Sequence, residues 1–215
     1  MATTARGERT RNAFRDAART VIARKGFLRT TISEIAEEAG RSPASFYNYY
    51  ESKEDLLAEL ADEFRRETEE NRDTEPVTPG TPLYELMHRA AEAYWTAYKR
   101  HLAELVGVFQ TAMLDDRFAE EWRRIRVVGI QTIRESIDHA QRHGYCPGID
   151  PWLTATALGS MFEHFCYVSL AQGGAFADHP VTDDGAVDTM TSILFHSVFW
   201  TADGPQPTVG TATPG

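Results

Sequence analysis

Apolar residues recur along this chain at intervals of three and four, the spacing that gathers side chains on one face of an α-helix. Phe14, Ala17, Ala18, Val21 and Ile22 form the first stripe and predict a helix from about Glu8 to Lys25, stopped by Gly26. Ile32, Ile35, Ala36 and Ala39 form the second. Leu56, Leu57, Leu60 and Phe64 predict a helix from Lys53 to about Asn71. Leu83, Leu86, Met87, Ala90, Ala91, Tyr94 and Tyr98 give one from Pro82 to about Arg100, and Leu102, Leu105, Val106, Phe109 and Met113 a shorter one to about Leu114. Phe118, Trp122, Ile125, Ile133, Ile137 and Ala140 mark a long helix from Asp115 or Asp116 to His143. Asp150 as cap and Pro151 as first residue open a helix to about Gln172 that is apolar on almost every side. Val187, Met190, Ile193, Leu194 and Val198 place the last one between Asp183 and Thr201. Nothing alternates in the manner of a strand and nothing repeats. The fold class is all-α, with about nine helices.

The densest local signals lie between Thr31 and Glu54. Thr31 and Glu34 form a capping box, and Gly40 ends the helix that the box starts. Ser42 caps again with Pro43 in the first helical position, and Ser52 with Asp55 caps a third helix. Two short helices joined by a glycine turn are the helix-turn-helix plan. In the second, spanning Pro43 to Tyr50, only Phe46 and Tyr50 share an inward face. Pro43, Ala44, Ser45, Tyr47, Asn48 and Tyr49 point out, a mixture of small, hydrogen-bonding and phenolic groups suited to a major groove. A capped helical hairpin with an ordinary solvent face has the same spacing.

From about Arg11 to Leu60 the chain resembles the DNA-binding domain of the tetracycline-repressor-like (TetR) family. The resemblance rests on an amphipathic helix ending in Lys25-Gly26-Phe27, on TTISEIAEEAG and SPASFYNYYESKEDLL, on the aromatics Phe46, Tyr47 and Tyr50, and on Ser52-Lys53-Glu54. It implies a helix-turn-helix DNA-binding domain over residues 1–54, a helical effector-binding and dimerisation domain over 55–203 and a disordered tail over 204–215. It further implies double-stranded DNA as partner, with Thr31, Tyr47 and Lys53 toward phosphates. Ser45, Asn48 and Tyr49, with Pro43 and Ala44, would face base edges, and Arg41 and Ser42 complete the DNA-facing set. Arg41 departs from the family, which usually places a small apolar residue there; either it bends outward to a phosphate or the turn packs differently. A homodimer through helices at about 150–172 and 183–201 is implied, setting two readers about 34 Å or a multiple apart on a palindromic site. The family's small-molecule pocket maps onto Tyr94, Trp95, Tyr98, Phe109, Met113, Trp122, Phe162, His164 and Phe165, with Tyr167 beside them. A mainly apolar effector and a repressor that it releases are the expectation, with Glu163 or His164 as a polar handle and no cofactor otherwise. Rings that simply fill the core are the alternative for any one of these residues.

Charge refines this picture. The 215 residues carry a net −10. Residues 1–53 hold ten Lys and Arg against six Asp and Glu, a net +4, whereas residues 54–215 hold twelve against twenty-six, a net −14. Arg6, Arg9, Arg11, Arg15, Arg19, Arg24, Lys25 and Arg29 crowd the positive segment, which orients the chain on a polyanion. Residues 1–8 read as a disordered basic arm, and the Pro-rich stretch Asp73 to Pro82 as a loop between domains. No apolar run approaches a membrane span and the first residues lack a signal-peptide core, so a cytoplasmic protein is expected. Cys146 falls in a loop and Cys166 in a helix, too few for a disulfide scaffold; Cys166 reads as a small buried apolar residue, with a redox switch as the alternative. No nucleophile elbow, phosphate loop or His-Glu-x-x-His motif is present, and no enzyme is expected. Glu135, His139 and His143 have a spacing that could ligate a metal, but a solvated polar stripe is preferred. A helical small-molecule-binding or scaffold protein whose reader no longer works is the remaining rival; the basic N-terminal segment speaks against it.

Overall fold

In the computed structural model, which describes residues 5–71, 80–174 and 178–202, the described residues are helical with no strand. The helices are α1 (Ala5–Lys25), α2 (Ile32–Glu38), α3 (Pro43–Phe46), α4 (Lys53–Asn71), α5 (Leu83–Arg100), α6 (Leu102–Ala112), α7 (Asp116–Arg142), α8 (Pro151–Cys166) and α9 (Asp183–Val198). A π-helical turn, Tyr167–Ala171, extends α8. Residues 72–79 of the expected linker and the 204–215 tail lie outside the described residues. Among those described, no helix is long and apolar enough to cross a membrane.

Two expected ends are corrected. Helix α1 begins at Ala5, so residues 5–8 are not a disordered arm, and residues 1–4 lie outside the described set. Glu8 in the first turn complements the helix dipole, and Thr10 Oγ donates to the Arg6 carbonyl 3.1 Å away. Helix α3 is shorter than expected and ends at Phe46. Beyond it, the amides of Asn48 and Tyr49 donate to the carbonyls three residues back, Ser45 and Phe46, so the segment tightens into turns instead of continuing as α-helix.

Two cores form. Phe14, Ala17, Ala18 and Ile22 of α1, Ile35 and Ala36 of α2, Phe46 and Tyr50 make the first, completed by Leu56, Leu57, Leu60 and Ala61 of α4. Ala103 and Val108 of α6 and Phe118 of α7 also enter it. The second joins Phe64 of α4 to the inward faces of α5, α7, α8 and α9. A cut after residue 54 therefore falls just inside α4, whose first half packs in one core and whose Phe64 packs in the other. Trp122 and Ile125 of α7 touch both. At Gly107 helix α6 comes so close that a Cβ would lie 3.0 Å from Leu57 Cδ1 and 3.3 Å from Phe27 Cβ.

Candidate nucleic-acid interface

The reader is held by local bonds that its sequence spells out. Thr31 Oγ accepts from the Glu34 amide at 3.3 Å, and the Glu34 carboxylate accepts from both the amide and the hydroxyl of Thr31. Lys25 Nζ adds a 2.6 Å bond to the same carboxylate. These bonds, that of Lys25 foremost, hold the Glu34 carboxyl down at about 2. Gly40, at φ +62°, lets the Arg41 amide reach the Ala36 carbonyl at 2.8 Å and its own amide reach Glu37 at 3.0 Å. That pair of bonds is the Schellman stop. Ser42 Oγ then accepts from the Ser45 amide at 3.2 Å, with Pro43 following it.

Phe46 and Tyr50 anchor this segment, fully and almost fully buried. The Phe46 ring meets Phe14 edge-on at 5.3 Å. Burial first, and Glu59 second, push the Tyr50 phenol up to about 12. Pro43, Ala44, Tyr47 and Asn48 are exposed and Ser45 half-buried, as expected of an outward face. Asn48 has no side-chain hydrogen bond among the described residues, so its amide offers both a donor and an acceptor. Tyr49 is divided: its ring leans on Phe14 at 5.9 Å and only part of it faces out. Arg41 is exposed and donates to the neighbouring Gly40 carbonyl at 3.0 Å.

Lys53 differs most from the expectation of a phosphate contact. Its ammonium points inward over the Phe27 ring, 4.6 Å from the centroid. It donates to the carbonyls of Phe27 at 3.1 Å, Leu28 at 3.4 Å and Thr30 at 2.9 Å. A single cation thus ties the start of α4 to the loop before α2.

Several arginines of the positive segment are likewise engaged within the fold. Arg11 bonds Glu59, Arg15 bonds Glu59 and Glu63, and Arg19 bonds Glu63 at 2.9 Å and Glu104 at 2.6 Å. Glu104 is 1% exposed. Burial pushes its carboxyl up, but bonds from His101 and Arg19 outweigh that and leave it below the usual range. Sequence reading missed these carboxylates, although the four-residue spacing of Arg11, Arg15 and Arg19 answers that of Glu59 and Glu63.

The expected pocket residues separate. Trp95, Tyr98 and Phe162 are buried in the second core. Phe109 packs on Trp122 at 5.4 Å and on Tyr167 at 6.0 Å, and Trp95 lies 6.1 Å from Phe165. Tyr94 lies deep, its hydroxyl pushed well above the phenol range chiefly by burial, yet part of its surface is uncovered. The hydroxyls of Tyr94 and Tyr98 have no hydrogen-bond partner among the described residues. Met113 caps the end of α6 at 68% exposure, and His164 lies on the outer side of α8, so these two stand apart from the buried rings. Glu163 instead accepts two 2.8 Å bonds from Arg126 Nε, while Arg126 Nη2 donates to Ser160 at 2.6 Å.

Cys146 and Cys166 are buried and unpaired with each other. Burial pushes the Cys166 thiol up to about 12. His143 Nδ1 lies 2.9 Å from the His139 carbonyl, so this ring turns to its own helix. Among the described residues no group of three His, Cys, Asp or Glu side chains is gathered for a metal.

Comparison with known proteins agrees with this geometry. Residues 14–60 match the family described as bacterial regulatory proteins, tetR family. The transcriptional regulator EthR of Mycolicibacterium smegmatis is 24% identical over 186 residues, 86% of this chain and 83% of that protein. BetI of Agrobacterium fabrum, another helix-turn-helix regulator, is 27% identical over 153 residues, 71% of this chain and 73% of its own. Among solved structures, the TetR-family regulator PfmR of Thermus thermophilus superposes with a TM-score of 0.64 at 17% identity, covering 86% of this chain and 98% of that one. GusR of Salmonella enterica superposes at 0.62 and 21% identity, covering 91% and 97%. The matched stretch runs from the middle of α1 to the first half of α4, covering most of the first core and the Pro43–Tyr49 face. The chain belongs to the TetR family of bacterial DNA-binding transcription regulators.

Proposed function

We propose that this regulator is a repressor that grips a palindromic operator as a homodimer and is released by a small, mainly apolar effector. The observation that carries the reading is the division of labour in one short segment. Phe46 and Tyr50 are buried while Pro43, Ala44, Tyr47 and Asn48 stay exposed. The open Asn48 amide can pair with an adenine edge, and Ala44 can touch a thymine methyl. Thr31 and Tyr47 would turn toward phosphates beside that segment, and Ser45 toward base edges.

A second copy is supported by the outer face of α8. Leu153, Thr156, Ala157, Ser160, Met161 and His164 follow one another at helical spacing, with no Asp, Glu, Lys or Arg among them, and are exposed. Ile193 and His196 of α9 add to it. A stripe free of Asp, Glu, Lys and Arg, with Leu153 at 71% exposure, suits a like helix pair better than water.

The effector reading is supported by the rings gathered between α5 and α8: Tyr94 lies 6.1 Å from Tyr98, and Phe109 packs on Trp122 and Tyr167. Helix α6 touches both α5 and α4, so a ligand that favours one placement of α6 biases the readers. DNA affinity then falls by the ligand's preference between the two states, about tenfold for each 1.4 kcal/mol.

Fluorescence anisotropy with duplexes covering the DNA that flanks its own gene tests the reading. The wild type should bind one of them well above an unrelated duplex, and Asn48→Ala should alter sequence preference by about 1–3 kcal/mol at the affected base pair. Equal binding of every duplex by wild type and variant would refute it.

A further inference from the structure

The engaged cations leave a remainder. Arg11, Arg15 and Arg19 face Glu59, Glu63 and Glu104; Arg24 faces Glu38, Lys25 faces Glu34, and Lys53 faces backbone carbonyls. In the positive segment Arg6, Arg9, Arg29 and Arg41 have no carboxylate partner among the described residues; Arg29 turns to the Lys25 carbonyl at 2.7 Å. The other three line one cleft of about 590 Å³, together with Gly7, Thr10, Ser45, Asn48 and Tyr49. No Asp or Glu lines it.

The cleft joins two otherwise separate elements. Arg6 and Arg9 ride on the first turns of α1, and Arg41 stands in the turn before α3. Because α1 is helical from Ala5, the first two guanidiniums are fixed relative to the reading segment instead of trailing on a loose arm. Gly7 between them has no side chain to close the gap. The positive end of a 21-residue helix adds to the local field. A guanidinium without a counter-ion on a chain of net −10 is an unusual feature to keep, and three around one concavity make an anion seat.

We propose that Arg6, Arg9 and Arg41 form a backbone clamp that takes the DNA phosphates flanking the bases reached by Asn48. This rests on the DNA-reading function proposed above and adds to it a sequence-blind contact area bordering the Pro43–Tyr49 segment. The departure at Arg41 then has a physical sense: a small apolar residue there would leave the cleft without its charge on the α3 side. The clamp sets affinity and register, and the Pro43–Tyr49 face sets sequence preference.

The test compares full-length wild type with Arg6→Ala/Arg9→Ala/Arg41→Ala on the flanking-DNA duplex and on an unrelated duplex, both across a sodium chloride series. The triple variant should weaken both duplexes by the same factor. The slope of log affinity against log salt should become shallower by about 0.9 for every phosphate that an arginine no longer neutralises, counted twice where two protomers share the duplex. Its melting temperature should match wild type, since these three side chains bond no carboxylate of another element among the described residues. In parallel, ethylation interference on wild type should mark phosphates just outside the base pairs whose recognition changes in Asn48→Ala. An unchanged salt slope, a lowered melting temperature, or an absence of interference at those phosphates overturns the clamp while leaving the reader standing. Failure of wild type to prefer any duplex overturns the function proposed above, a result that the salt slopes alone would not produce.

Discussion

Lys53 illustrates how a side chain's type and its job separate. A lysine at the start of a helix, beside a reading element, is expected to reach a phosphate, yet its ammonium closes on three carbonyls of the Phe27–Thr30 loop. Charged hydrogen bonds of this kind contribute roughly 1.5–3 kcal/mol each before the cost of burying the cation. Lys53→Met is therefore expected to lower the melting temperature, by about 1–3 kcal/mol in unfolding free energy. An unchanged denaturation midpoint would return the ammonium to a role outside the fold. Glu34 makes the second residue-scale case. Its folded value of about 2 lies below the ordinary 4.5. A carboxyl lowered by folding stabilises above its unfolded value, and the contribution drains away as pH falls through the folded one. Acid titration of stability should thus lose a Glu34-dependent share between about pH 4.5 and 2, and Glu34→Gln should remove that share. A wild type and variant with parallel acid profiles would contradict this.

At the scale of elements, the informative relation is between α4 and α6. Helix α4 is shared by both cores, and α6 lies against it with no side chain of its own at Gly107. The capping boxes, the Schellman stop and the apolar stripes of both helices are legible in sequence because each depends on neighbours within about four positions. Their mutual approach is not, because Gly107 meets Leu57 and Phe27 across 50 and 80 residues. Gly107→Leu should push α6 off α4 and cost about 1–3 kcal/mol by overpacking. Calorimetry checks the cost, and DNA binding at a temperature where the variant stays folded checks whether the reader is displaced as well. A variant as stable as wild type would mean that the two helices separate freely.

For the whole molecule, the arrangement sets a face of α8 and α9 free of Asp, Glu, Lys and Arg apart from the reader and the arginines of its cleft. Paired copies would double the reading segments, which one short segment needs in order to select a site. Leu153→Glu with Met161→Glu places charge on residues already 71% and 40% exposed, so the monomer fold should persist. Sedimentation should then show a shift from dimer to monomer, and operator affinity should fall at least about tenfold, because a lone reader selects too few base pairs. A variant that sediments and binds as wild type does would remove α8 from the interface.

By itself the sequence determined the nine helices of the described residues nearly to their ends, the helix-turn-helix with its caps, and which of its residues face inward. All of these depend on short-range periodicity and on bonds between close neighbours. Tertiary structure alone decided which cations keep their charge for an outside partner. The carboxylates that answer Arg11, Arg15 and Arg19 lie on α4 and α6, far along the chain, and nothing in the charge count distinguishes those arginines from Arg6, Arg9 and Arg41. Neutralisation depends on what packing places within a few ångströms, so the sign of the segment was readable and the location of its usable charge was not.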